Sequence, residues 1–147
     1  MQSNIGMKIN RVDIRHSKTQ DRLSTLQRIC LPHDIPYDTN SGFWWTITDT
    51  SGRDVGFAGL VYSFRWSDCG YLCRAGVIPS SRGQGIQKKL IRVRIRQAKA
   101  VGMNWLITDT YDNPASSNSL ISCGFKLFEP TVPWGATGTL YFRLKLG

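Results

Sequence analysis

The segment "GVIPSSRGQGIQKKLIRVRIRQAKAVG", Gly76 to Gly102, constrains this chain more than any other. An apolar, strand-like run ends in a proline and two serines and passes through Arg82, Gly83, Gln84 and Gly85. It then enters a stretch rich in Lys, Arg, Gln and Ala that Gly102 can terminate. The alternation in "LIRVRIR" suits a strand, but the residue types favour a helix from Ile86. At about 100° per residue, Ile86, Leu90, Val93, Ala98 and Val101 fall on one side of that helix, and Lys88, Lys89, Arg92, Arg96 and Lys99 on another. Arg94 alone breaks the segregation. Close-set glycines at a strand-to-helix junction let backbone approach a ligand, and the unpaired amides of a helix start favour an anion there. The junction therefore reads as a phosphate site, against the plainer alternative of a glycine-containing turn followed by a solvated basic face.

The flanking sequence supplies a sheet for this crossover. "MKINRVDIRH" alternates as a half-buried strand from Met7 to His16, and Ser17 is placed to cap a helix carrying Leu23, Leu26 and Ile29. "LPHDIPYDTNSG" is a loop. "FWWTITDTSGRDVGFAGLVYSF" and "YLCRAGVIP" make a three-stranded meander with turns at "TSGRD" and "WSDCG". Beyond the basic helix come a strand in "MNWLITDTYD", a short helix entered through Asn113-Pro114, and closing strands in "FKLFEP" and "TLYFRLKL". The expected fold is α+β with helices layered α/β/α on a mixed, largely antiparallel sheet that contains one β-α-β crossover.

At 147 residues this is the size of one domain, taken as 7–147, with "MQSNIG" (1–6) read as an expression remnant. Lys and Arg number 19 against 10 acids, with Glu129 the sole glutamate, and the formal charge of +9 favours anionic partners over polycations. Nucleic acid is a possible but less favoured partner. No apolar run is long enough to cross a bilayer, so no membrane partner is expected and the expected compartment is the cytoplasm. The spacing of Cys30, Cys69, Cys73 and Cys123 fits neither a disulfide scaffold nor a zinc knuckle; they read as reduced thiols, and no metal is expected.

Among phosphate loops, the Walker spacing is absent, and a dinucleotide fingerprint would need glycine where Lys88 stands. The junction instead resembles the acyl-CoA segment of the GNAT superfamily of N-acetyltransferases, Gln/Arg-x-x-Gly-x-Gly/Ala. Arg82 and Gly85 are in place, and Gln87 stands where Gly or Ala is usual. "DNPASSNSLISCGF" is similar to that family's Asn-x-x-Ala/Ser…Gly-Phe segment, through Asn113, Ser116, Gly124 and Phe125. The likeness in element order extends from Met7 to Leu146.

The resemblance implies acetyl-CoA as cosubstrate. Val77, Ile78, Arg82, Gly83, Gln84, Gly85, Ile86, Gln87, Asn113 and Ser116 would bind it, the Val77 and Ile78 amides meeting the pantetheine arm in a cleft between the crossover strands. An amine would attack the thioester directly. The family's usual thiolate-protonating tyrosine corresponds to Leu120, which leaves Tyr111, Ser119 or bulk water as the acid. The base is Asp109 if its side chain turns into the cleft, or His33 or Asp34 from the early loop. Cys73 as an acyl-carrying nucleophile is weaker than Cys73 as a buried structural thiol. His33, Asp34, Tyr37 and Trp134 would border an acceptor of neutral or anionic overall charge. Rivals to catalysis are a basic nucleic-acid-binding module and a CoA sensor that acetylates nothing.

Overall fold

The computed structural model describes residues 6–147; residues 1–5, most of the segment read as an expression remnant, lie outside the described residues. One seven-stranded sheet has the order β1-β2-β3-β4-β5-β7-β6. Its strands are β1 (Lys8–Val12), β2 (Phe43–Thr48), β3 (Asp54–Ser63), β4 (Cys69–Val77), β5 (Trp105–Thr110), β6 (Lys126–Phe128) and β7 (Leu140–Lys145). The helices are α1 (Ser17–Cys30), α2 (Ile86–Ala100) and α3 (Pro114–Ser122). Every strand pairing is antiparallel except that of β4 with β5, which α2 connects. The expected mixed α+β architecture is the one observed.

Local boundaries depart from the sequence reading where side-chain chemistry has local alternatives. The first strand stops at Val12 rather than His16, because Asp13 folds back to accept hydrogen bonds from the Arg15 backbone and guanidinium. The cap of α1 is His16, not Ser17; the His16 carbonyl accepts the first helical bond, from Gln20 N–H. On α2 the buried residues are Ile86, Leu90, Ile91, Arg94 and Ala98, whereas Val101 is exposed. The apolar stripe therefore runs through the position of Arg94 instead of around it.

Packing on the sheet's two faces positions the cleft. Leu23 and Leu26 of α1 share a core with Trp44 and Phe57; Ile91 and Ala98 of α2 share one with Leu60, Leu72, Leu106 and Leu120. Burying each such side chain is worth about 1.5–3 kcal/mol. Because strand residues alternate between faces, Tyr71, Ile107 and Asp109 lie on the face opposite Leu72, Leu106 and α2.

Candidate active site

The β4–β5 pairing is short. Cys69, Gly70 and Tyr71 pair with Trp105, Leu106 and Ile107, and no pairing follows. Thr108 Oγ1 donates to Leu72 O across 2.9 Å at the point of divergence. On the other flank of β4 the register changes from Ala58↔Ala75 to Leu60↔Leu72, so two steps along β3 match three along β4. That bulge bends β4 away from β5, as an extra residue does in an antiparallel ladder. The result is a cavity of about 410 Å³ whose walls include Tyr71, Cys73, Arg74, Gln87, Arg94, Asp109 and Leu120.

Of the junction segment only Gln87 lines this cavity; Val77, Ile78 and Arg82 to Ile86 lie outside its lining. Pro79–Ser81 forms a single 3₁₀ turn, Arg82 Nε donates to Val77 O across 3.0 Å, and Gly83 and Gly85 take φ of +80° and +73°. Those left-handed conformations favour glycine. A Cβ at either position would meet nothing within 4 Å, so the space beside the junction is open. Gln84 is half-buried between them. Helix α2 starts with no side-chain cap and no acid in its first turn. Its first amides, from Ile86 and Gln87, thus stand available to a diphosphate in the favourable field of the helix dipole. These features fit acetyl-CoA.

One expected contact requires correction. The Ile78 amide donates to Val55 O across 2.9 Å, completing the β3–β4 ladder, and is not available to a pantetheine arm. Antiparallel alternation then turns the Ala75 and Val77 amides toward the cleft. Asn113 and Ser116 both line the cavity, and they also engage each other: Asn113 Oδ1 accepts from Ser116 N–H across 3.1 Å as the cap of α3. The Ser116 amide is therefore committed to the helix start.

On the opposite face Asp109 does turn into the cavity. Its Oδ2 accepts from Tyr71 Oη at 2.6 Å and from Trp134 Nε1 at 2.8 Å, while Oδ1 has no hydrogen bond among the described residues. The two donors fix the carboxylate and leave one oxygen facing the cleft. Burial, then the neighbouring Asp109 charge, pushes the Tyr71 hydroxyl far above its ordinary range, so it stays a donor. Tyr37 also lines the cavity, its hydroxyl raised chiefly by burial. Asp34 reaches the cavity rim but is bound to Arg74 Nη1 at 2.6 Å. His33 is exposed and outside the cavity lining, so the structure separates it from Asp34 and Tyr37. Tyr111, 64% exposed, and Ser119, half-buried, both line the cavity.

Tyr71, Arg74 and Arg94 are cavity residues that the sequence reading did not assign to the site. Arg94 had a signal, its place on the apolar side of a basic helix. Tyr71 and Arg74 had none, since their roles depend on Asp109 and Asp34, 38 and 40 residues away. Cys73 lies in the cavity wall, and burial raises its thiol to about 11.

Comparison with curated proteins finds no match. Solved structures match along nearly the whole chain. An IAA acetyltransferase from Bacillus cereus is 19% identical with a TM-score of 0.73, covering 95% of this chain and 99% of its own. A GNAT superfamily phosphinothricin acetyltransferase from Sinorhizobium meliloti, in complex with AcCoA, is 16% identical with a TM-score of 0.75, covering 97% and 89%. An acetyltransferase from Bacillus subtilis, in complex with CoA, is 18% identical with a TM-score of 0.73, covering 95% and 99%. The profile of the Acetyltransferase (GNAT) family matches residues 12–125, from the end of β1 to the Gly124-Phe125 pair. The chain belongs to the GNAT acetyltransferase family.

Proposed function

We propose that this acetyltransferase moves the acetyl group of acetyl-CoA onto an amine, with Asp109 as general base. The observation that carries the reading is one cleft bordered by an acid-free helix start on one face and a fixed carboxylate on the other. The Ala75 and Val77 amides would hold the donor arm and polarise the thioester carbonyl. An amine entering from the α1 face would lose its proton to Asp109 Oδ1, directly or through one water. Attack by the neutral amine would then form the C–N bond as the C–S bond breaks, the electron pair leaving on sulfur and the second nitrogen-borne proton passing to water. Holding both reactants in this geometry supplies much of the rate.

The charges lining the cleft bear on the acceptor. Asp34 and Arg74 neutralise each other, which leaves Asp109 as the carboxylate free to meet one ammonium, while the basic surface favours an anionic remainder. An amine on a neutral or anionic body, such as an amino acid, an amino sugar phosphate or a nucleobase, fits better than a polycation. A panel of amines assayed for CoA release tests this directly. Absence of calorimetric heat and of thermal stabilisation with millimolar acetyl-CoA would reject the whole reading.

Lys88, Lys89, Arg92, Arg96 and Lys99 are all exposed on α2, which favours a second reading as a phosphate-tracking surface. Steeply salt-dependent duplex affinity without CoA affinity would support it. CoA binding with no acetylation of any amine would indicate a sensor.

A further inference from the structure

The cavity contains a buried cation that base catalysis and substrate docking leave unused. Arg94 is 4% exposed, yet it lines the cleft on the α2 side, next to Ile91 and Leu120. Its Nε donates to Leu90 O at 3.0 Å and its Nη1 to Gly59 O at 3.2 Å, beside the β3–β4 bulge. Nη2 donates to no acceptor among the described residues and is not sealed from solvent, so it opens into the cavity. Arg94 makes no ion pair among the described residues. The titratable groups within its electrostatic reach are Cys73 on β4 and Cys123 at the end of α3. Asp109, Tyr71 and Tyr37 belong to the opposite side of the cleft, and Asp34 is bound to Arg74 at the rim.

Burying a guanidinium without a counter-ion costs several kcal/mol, and its two bonds to backbone carbonyls leave the charge unpaired and Nη2 without an acceptor among the described residues. An apolar residue at this position would complete the Ile86, Leu90, Ile91, Ala98 stripe. The cation makes sense if an anion forms beside it.

We propose that Arg94 is a catalytic residue whose free Nη2 stabilises the thiolate that departs from the acyl donor. The inference rests on the acetyl-CoA reading above. A donor whose diphosphate sits at the α2 start and whose arm runs down the cleft passes Arg94, two turns further along the same helix. As the amine nitrogen bonds to the acetyl carbon, the C–S pair moves to sulfur and Nη2 donates a charge-assisted hydrogen bond to it. Arg94 stays protonated throughout, and the thiolate takes its proton from water after release. Burial lowers the guanidinium pKa to about 10, still charged at neutral pH. With Leu120 on the cavity wall, a hydrogen-bond donor is absent from that position, and Arg94 supplies one from the neighbouring helix.

The test uses equilibrium binding of CoA and dethio-CoA to the full chain, so it needs no acceptor. A cation at the sulfur lowers the bound thiol pKa. The affinity of CoA relative to dethio-CoA must therefore rise with pH from neutrality to about 9, by about tenfold for each unit of lowering. Cys73 and Tyr71, both raised, do not titrate in that range. Arg94→Met is expected to abolish the rise while still binding dethio-CoA, and Arg94→Lys to keep part of it; Arg94→Gln replaces Arg94→Met where the latter does not fold. In the wild-type protein alone, the ultraviolet thiolate band of bound CoA should appear at lower pH than that of free CoA. A bound thiol that ionises at the free value or above, or a pH response identical in Arg94→Met, overturns the proposal. Failure of both ligands to bind wild type instead overturns the acetyl-CoA reading beneath it.

Discussion

Trp134 Nε1 donates to Asp109 Oδ2 across 2.8 Å, so the loop between β6 and β7 holds the carboxylate at the end of β5. Tyr71 holds the same oxygen from β4. Asp109→Asn should therefore lower kcat by about 10²-fold or more at neutral pH, with acetyl-CoA affinity unchanged by calorimetry. Trp134→Phe removes one of the two donors and should lower kcat by roughly tenfold, again without affecting CoA binding. Equal losses in acetyl-CoA affinity would mean that Asp109 shapes the donor site rather than acting on the amine.

Gly85 and Gly102 form a matched pair. Both have positive φ, +73° and +83°, and a Cβ at either would meet nothing within 4 Å. Replacing either by Val should cost a similar backbone strain of about 1–2 kcal/mol, read as similar falls in Tm. Only Gly85→Val should lose acetyl-CoA binding, because only its side chain would fill the space beside the α2 start. Retention of binding by that variant would place the diphosphate elsewhere.

Cys73 is not expected to carry the acetyl group. Burial raises its thiol to about 11 even with Arg94 and Arg74 nearby, so the thiolate is scarce at neutral pH. Intact-mass spectrometry after incubation with acetyl-CoA alone should show no added acetyl at Cys73, and Cys73→Ala should keep more than half of kcat. Stoichiometric acetylation chased off by an amine would establish a covalent route instead.

The turn between β2 and β3 is an acid-sensitive element. Asp49 Oδ1 accepts from Ser51 N–H, Ser51 Oγ and Arg53 N–H, and these bonds, the Ser51 hydroxyl first, hold its carboxyl below the ordinary value. A depressed folded-state pKa adds stability above the unfolded-state value, and that stability is lost as pH falls through the folded-state value. The Tm difference between wild type and Asp49→Ala should thus be full at pH 6 and shrink below about pH 4. A difference that stays constant down to pH 2 would show that Asp49 acts only through turn geometry.

The acceptor's charge is open to the same scrutiny. Amines on neutral or anionic bodies should give higher kcat/KM than spermine or a lysine-rich peptide, since one unpaired carboxylate lines the cleft, Asp34 being held by Arg74, while the surrounding surface is positive. If the polycation proves the best acceptor, Asp34 must release Arg74 on binding.

The features legible along the chain are those that short-range physics governs. The Arg82 to Gln87 junction was legible because positive φ selects glycine and because free amides at a helix start depend on no distant residue. The order of strands and helices followed from apolar periodicity, and the entry into α3 from the Asn113-Pro114 pair. The tertiary structure decided which side chains meet. Asp109 became one of several base candidates only by residue type; its donors come from β4 and from a loop 25 residues onward, and strand splaying gave it a cavity to face. His33 was as plausible as Asp34 until chain folding left it outside the cleft. Arg94 stood out in the sequence as a break in amphipathicity, but its burial beside a bulge and its open Nη2 depend on how β4 bends from β5. Side-chain convergence across the sheet is set by register and bulges, which arise from packing over the whole domain rather than from any local segment.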